Sequence, residues 1–497
     1  MPGPEQYWPL WAVLVPLVGS VVAYILGVKS PRARDTFALF ITVATFGLVV
    51  SMYPLLAGGK VIGVSFPNIL MPFGVSFRAD ILSFGMAAII TLIYSLAMLY
   101  ALGYMHEGPT SNRFYSCTLL TLAGCVGTVF AGDLLTLFIF FEAMSLASYV
   151  LVIHEQTPRA MQAGNLYFVT VIVGGLAIFL GLVTVYEVTG SVTFGELPIL
   201  KDISLEGGMV TLMWISFVGF LVGFGMKAGI VPLHSWLPEA HPVAPSPASA
   251  LLSGVMLKTG AYGLIRVIFN VFGTDMVKAA GWDNILLALA AATIVLGSVW
   301  AIMEDQIKRR LAYSSIAQMG YILLGMALLT ERALIGDFFH IFSHAIMKAC
   351  LFLAAGAVIH ATGKERVSEI NGVGLQMPVT MVCFGLASLA MIGIPPFNGF
   401  ISKIFLGLGA LDAGMPLYLV LLLISSFMNA IYYLPIIISA FFRQVPEGTD
   451  AGYSEVPVRM MAPMVVLAVA TFIFVVGPAN LPLILSQLMT VSLMGGS

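Results

Sequence analysis

The stretch GFGMKAGIVPLHSWLPEAHPVAPSPASALLSGVMLKTGAYGL, residues 223–264, decides how this sequence is read. Lys227 and Lys258 stand in its two apolar flanks, and Pro232, Pro238, Pro242, Pro245 and Pro247 lie between them. Proline removes a backbone donor and clashes with the preceding turn, so the segment predicts an interrupted helix. In a bilayer, the backbone groups freed by such a break must be buried in protein or line a hydrated cavity. A charged side chain at the bilayer centre costs ~2.5–3.5 kcal/mol even on lenient scales, so the two lysines point to a protein interior or a water path.

The remaining sequence sets that segment in a membrane. Of 497 residues, 59% are hydrophobic and 9% charged, and the mean hydropathy is +1.00. Soluble domains carry about a quarter charged residues. Apolar runs of about 20 residues recur from end to end, continuous rather than alternating. They predict an all-α polytopic membrane protein and argue against a β-barrel. Fourteen spans are expected, centred near residues 18, 46, 92, 122, 143, 174, 221, 259, 293, 319, 347, 392, 429 and 470. The longest polar stretches, near 187–208 and 443–457, are loop-sized and leave no room for a soluble catalytic domain. The first apolar run ends at Val28-Lys29 without a small-residue cleavage site and reads as a retained helix.

Fourteen spans put both termini on one side. With the termini outside, twelve Lys and Arg residues, from Lys29, Arg32 and Arg34 to Arg443 and Arg459, fall on inner loops and edges. Six fall on outer ones: Lys60, Arg78, Lys201, Arg266, Lys278 and Arg332. This excess obeys the positive-inside rule and predicts a multi-pass protein of the inner (cytoplasmic) membrane. Cys117, Cys125, Cys350 and Cys383 all lie in apolar spans without a C-x-x-C pattern, so neither a disulfide framework nor a metal site is indicated.

A second interruption echoes the first. LAMIGIPPFNGFISKIFLGLGAL, residues 389–411, places Pro395, Pro396 and Gly399 before Lys403. Gly229 to His234 (GIVPLH) resembles Gly393 to Asn398 (GIPPFN), five spans later. An odd number of spans between equivalents inverts the topology, as in transporters built from inverted repeats. The expected organisation is residues 1–112 (helices 1–3), 113–272 and 284–442 (two inverted five-helix repeats, with helices 7 and 12 discontinuous) and 443–497 (helix 14).

Glu142 lies mid-span in DLLTLFIFFEAMSLASYVLV, and Lys227 is its natural partner in a switchable ion pair, since each charge governs the other's protonation. Lys258, in the next span, hands on or receives the proton. In the eleventh span, DFFHIFSHAIMKACLFLAAGAVIHATG sets His340, His344 and Lys348 at i, i+4 and i+8, one side of a helix. Histidine titrates near neutral pH and can accept and donate through different nitrogens, so this ladder reads as a proton wire. Lys403 is a gate candidate at the far end. Asp133, His154, Glu155, Arg159, His241 and His360 fall near expected helix ends, where solvated or capping roles are usual. His234 and Glu239 lie in the broken region and either join the path to the inner side or are ordinary loop residues.

On these residues the sequence resembles the antiporter-like membrane subunits shared by respiratory complex I, Mrp-type multisubunit cation/proton antiporters and group 4 membrane-bound hydrogenases, including formate hydrogenlyase. LFIFFEAMSLASYVL, the segment around Lys227 and Lys258, and HAIMKACLFLAAGAVIHATG carry the resemblance. It implies fourteen helices, two inverted repeats, and a hydrophilic axis through Glu142, Lys227, Lys258, His344, Lys348 and Lys403. Lys403 stands where M-type complex I subunits carry glutamate, and the sequence ends soon after the fourteenth span, which leaves no place for the lateral helix of L-type subunits. The Mrp D subunit, the complex I N subunit and hydrogenase membrane subunits remain, and AHPVAPSPASALLSGVM leans toward the hydrogenase group.

The leading expectation is therefore a subunit that moves protons, with or without sodium exchange, inside a larger membrane complex. Its partners would be other membrane subunits and, through them, hydrogenase or dehydrogenase modules, with no nucleic acid. No quinone, flavin or iron–sulfur motif occurs, so no cofactor is expected and any redox chemistry belongs to partners. An N-type subunit of an NADH-quinone oxidoreductase is the alternative. A stand-alone secondary transporter would call for arginines clamping an organic anion, and none is expected mid-span.

Overall fold

The computed structural model describes residues 3–105, 109–201, 203, 205–444, 452, 454–473 and 480–495, and the chain is mostly helical. Among the described residues, ten helices are long and apolar enough to cross a membrane. Ser246–Phe272 and Glu331–Thr362 are buried along their whole apolar windows, whereas Pro31–Ala57 and Pro416–Phe442 are buried over only about a third of theirs. The bundle is thus a ring of lipid-suited helices around two central ones. Those two carry Lys258, His340, His344 and Lys348.

The expectation of an all-α chain needs one correction. Ile62–Phe66 and Val75–Ala79 form an antiparallel hairpin, in register from Ile62 opposite Ala79 to Phe66 opposite Val75. Its β-branched and aromatic content favours a pleated strand. At Gly63 a Cβ would lie 2.3 Å from the Phe77 carbonyl, so the close pairing there needs glycine. The hairpin is fastened to the start of the Leu134–Val152 helix. Ser76 donates through its backbone N and Oγ to Asp133 Oδ2 (2.9 and 2.5 Å), and Asp133 Oδ1 accepts from Thr136 N at the helix N-terminus.

The hairpin also marks one end of the bundle. The N-terminal turn Pro4–Tyr7 packs on its first strand. Met460 lies against Gly103, at the far end of the Ile81–Tyr104 helix, whereas Met489 lies against Gly85, at the near end. Both ends of the described chain therefore sit on the hairpin side. Asp80, at the foot of the hairpin, accepts a bidentate pair from Arg266 Nη2 (2.8 and 2.7 Å). Burial alone would raise the Asp80 carboxyl, but the Arg266 guanidinium, the Ser83 backbone N–H and Arg78 together outweigh it and hold the group below the usual carboxylate range. Arg266, expected at an outer edge, is buried, and its bond to Asp80 sets it at the hairpin end of the bundle.

Both interruptions are real breaks. Gly208–Ala228 ends at Gly229 (φ 72°), and Pro378–Ile392 ends at Gly393 (φ 87°), both left-handed, a conformation that costs other L-residues roughly 1–2 kcal/mol. Each end closes with the same two hydrogen bonds. Gly229 N reaches Met226 O and Ile230 N reaches Gly225 O; Gly393 N reaches Ala390 O and Ile394 N reaches Leu389 O. This is the Schellman closure, in which two otherwise orphaned carbonyls are satisfied by the residues that leave the helix.

Candidate functional site

Glu142 projects from the middle of Leu134–Val152 toward Gly175 of the Pro158–Thr189 helix. A Cβ at Gly175 would stand 2.7 Å from the carboxyl carbon, so glycine makes the room. Lys227 and Glu142 line one small cavity together with Ser145, Tyr167, Gly174 and Trp236. They are not paired. Lys227 Nζ donates to Tyr167 Oη at 2.5 Å and to Ser148 Oγ at 3.5 Å, and these two hydroxyls share a 2.5 Å hydrogen bond of their own. Glu142 Oε1 is buried without a hydrogen-bond partner. The expected ion pair is thus not formed in the structure; the lysine rests on hydroxyls instead.

Lys258 is 1% exposed and folds back on its own helix, donating to Ser253 O at 2.5 Å. That carbonyl belongs to Leu252–Met256, a π-helical turn inside the central helix. Such turns are rare and frequent at functional sites. Ser253 Oγ meets Ser315 Oγ at 2.7 Å, which ties this turn to the Ile307–Ala327 helix.

The histidine ladder is fully buried. The rings of His340 and His344 stack 5.7 Å apart at 9°. His340 Nδ1 meets Ser402 Oγ at 3.0 Å, whereas its Nε2 and both nitrogens of His344 have no partner among the described residues. Lys348 Nζ donates to Leu311 O at 2.8 Å, to Ser314 Oγ, and to Tyr433 Oη at 3.2 Å. Lys403 Nζ donates to Met391 O (3.0 Å), Ile392 O (2.8 Å) and Ser426 Oγ (3.0 Å), so it reaches back across the break to the carbonyl end of Pro378–Ile392. Between these two lysines lie Tyr432 and Tyr433, their rings tilted at 50° and 4.7 Å apart, then Asn429, which accepts from Tyr432 Oη at 2.5 Å and donates to Met391 O at 3.2 Å.

One feature unites the four lysines. None has a carboxylate oxygen within 4.0 Å among the described residues; every Nζ rests on hydroxyls or backbone carbonyls. An amine donates to such oxygens whether or not it holds its extra proton, and a hydroxyl can reverse its role. A proton can therefore leave or arrive without orphaning a buried group. Arg266 on Asp80 is the opposite case, because guanidinium does not give up its proton in proteins.

The other polar residues meet the expectations unevenly. Asp133 does cap its helix. His241, expected at a solvated end, is fully buried, stacked on Phe352 at 4.6 Å with neither ring nitrogen partnered. Glu239 pairs with Arg309 at the edge, and His234 stacks on Trp300 at 4.5 Å. His154, just past the end of its helix, is pushed down to about 4 by burial and then by Arg113, so it stays neutral at physiological pH. Three buried neighbours of these residues are not evident from the sequence: Tyr167, which accepts from Lys227; Tyr433, which accepts from Lys348; and Asp337, one turn before His340. Asp337 heads the very stretch quoted for the ladder, and its position three residues from His340 was the available signal.

Comparison with known proteins fits this geometry. Residues 131–429 match the family model described as NADH:quinone oxidoreductase/Mrp antiporter, TM, and residues 69–115 match NADH-Ubiquinone oxidoreductase (complex I), chain 5 N-terminus. The chain is 33% identical to NADH-quinone oxidoreductase subunit N of Desulforudis audaxviator, over 94% of this chain and 95% of that one. It is 30% identical to hydrogenase-4 component B of Escherichia coli, over 92% of this chain and 70% of the other. Its fold matches a chain in the membrane-bound sulfane sulfur reductase, an archaeal respiratory membrane complex, with TM-score 0.89, 24% identity and coverage of 98% and 97%.

Proposed function

Since the chain belongs to the NADH:quinone oxidoreductase/Mrp antiporter family of membrane subunits, and is an antiporter-like subunit of it, we propose that it moves protons through its interior as part of a multisubunit energy-converting complex. The path runs from Glu142 and Lys227 through Lys258, His344 and Lys348 to Lys403, with His340 continuing the ladder beyond His344. The observation that carries this reading is that all four interior lysines rest on neutral oxygens, with no carboxylate oxygen within 4.0 Å among the described residues. The two closed breaks, alike down to their hydrogen bonds, support the organisation into inverted repeats, 113–272 and 284–442, within fourteen spans. The hairpin end, with both termini, faces outward, in keeping with the excess of Lys and Arg on the opposite loops. Neighbouring membrane subunits supply the drive at either end of the axis, and a membrane-bound hydrogenase or Mrp-type complex is the parent.

The 33% identity over nearly the whole length of an N subunit favours a second parent, an NADH-quinone oxidoreductase. Mass spectrometry of the subunits that co-purify with the chain separates the two. The function itself is tested in the reconstituted complex. Glu142→Gln and Lys348→Ala should each reduce proton translocation at least ten-fold with the complex assembled, whereas Glu142→Asp should keep part of it. Full translocation in Glu142→Gln and Lys348→Ala would overturn the reading.

A further inference from the structure

Asp337 is fully buried, and neither carboxylate oxygen has a hydrogen-bond partner among the described residues. It sits where three helices meet without a gap. A Cβ at Gly325 would stand 2.9 Å from its Cγ, and a Cβ at the adjacent Gly336 would stand 2.7 Å from Leu406 N. A carboxylate with neither donor nor counter-charge in such surroundings takes up a proton rather than remain charged. Burying an unpartnered acid is costly, and Asp337 sits in the helix that carries the ladder.

Its angular position is specific. At about 100° per residue, Asp337, His340, His344 and Lys348 fall within an arc of roughly 80° on Glu331–Thr362. Unpartnered polar atoms recur along that stripe: both Asp337 oxygens, His340 Nε2 and both His344 nitrogens. From Asp337 to Lys348 the stripe rises ~16 Å, about half the hydrocarbon thickness. Arg332 and Asp412, which pair in the open at 3.2 Å, mark the exposed end of the helix, roughly 7.5 Å beyond Asp337. Phe342 and Met489 both lie at Gly85, so this is the hairpin end.

We propose that Asp337 is the terminal proton-exchanging group of the histidine stripe, through which the second half of the axis communicates with the aqueous phase on the hairpin side. This rests on the proton-path reading above. For outward transfer, the Asp337 Oδ–H bond breaks toward that phase, and the carboxylate is reprotonated by His340 in its doubly protonated form, which thereby returns to neutral; His340 regains its second proton from the His344 side, and the reverse order serves inward transfer. One proton enters the stripe for each that leaves, and no oxidant or reductant is required.

The test uses the intact complex in liposomes, energised by its own reaction. Asp337→Asn keeps the volume of the protonated acid but cannot exchange a proton, and it should lower proton translocation at least ten-fold with the complex assembled. Asp337→Glu should recover much of the rate, which a packing role would not predict. Full translocation in Asp337→Asn, while Lys348→Ala is blocked, would overturn this inference alone; full translocation in both would overturn the path itself. A hydrophobic carbodiimide, which attacks carboxyls that hold a proton in apolar surroundings, supplies a readout independent of folding in the variants. It should shift the mass of the Asp337 peptide in the wild-type complex, and an unmodified Asp337 would count as refutation.

Discussion

At the first break, the carbonyl end of Gly208–Ala228 is closed by the indole of Trp236, whose Nε1 donates to Met226 O at 2.8 Å, and Lys227 turns away to Tyr167 and Ser148. At the second, Lys403 crosses from the far side and closes the carbonyl end itself. At the offset that sets Gly229 on Gly393, Lys227 falls on Met391 and Lys403 on Glu239. A helix C-terminus carries partial negative charge and attracts cations. The first lysine therefore takes no part in closing its helix end, whereas the second does. The same backbone solution thus leaves the carbonyl end to an indole in one half and to a lysine in the other.

The largest expected effect comes from removing each lysine. Lys227→Met should cut proton translocation at least ten-fold yet barely alter thermal stability, because Tyr167 and Ser148 already bond each other. Lys403→Met should cut translocation too, and also destabilise the chain by about 1–3 kcal/mol, the cost of a buried acceptor left unmet, since Ile392 O loses its donor. Thermal unfolding of the purified complex distinguishes them; equal melting temperatures would break the comparison.

A smaller contrast lies in the glycines. Alanine at either position incurs the left-handed penalty of roughly 1–2 kcal/mol. At Gly393 the new Cβ would also stand 2.8 Å from Lys403 Cδ, whereas at Gly229 its nearest neighbour is Leu237 Cδ2 at 3.6 Å. Gly393→Ala should therefore slow translocation several-fold, and Gly229→Ala should mainly lower stability. If flux measurements show the two alike, Lys403 is not held as described. The smallest effect is Trp236→Phe, which removes one hydrogen bond worth about 0.5–1.5 kcal/mol and should leave translocation above half of wild type in the same liposome assay.

Much of this was legible in the sequence because membrane burial makes charge conspicuous. Glu142 and the four lysines stand out against apolar neighbours, and prolines with glycines announce both breaks. The partners were not legible. Tyr167 and Tyr433 look like ordinary aromatic residues in apolar helices, and only the packing of distant segments brings their hydroxyls to Lys227 and Lys348. Asp80 and Arg266 are 186 residues apart, and each alone reads as a loop charge. The hairpin was hidden for another reason: its alternation lasts five residues per strand, too short to compete with the helical runs around it.

The Asp80–Arg266 clasp has a consequence beyond fastening the hairpin. A membrane that stores energy as a voltage loses it through any chain of groups able to change charge. Arginine keeps its proton, and the carboxylate bound to it is held in its charged form. The clasp therefore anchors the first half of the bundle at the hairpin end with an electrically inert seam.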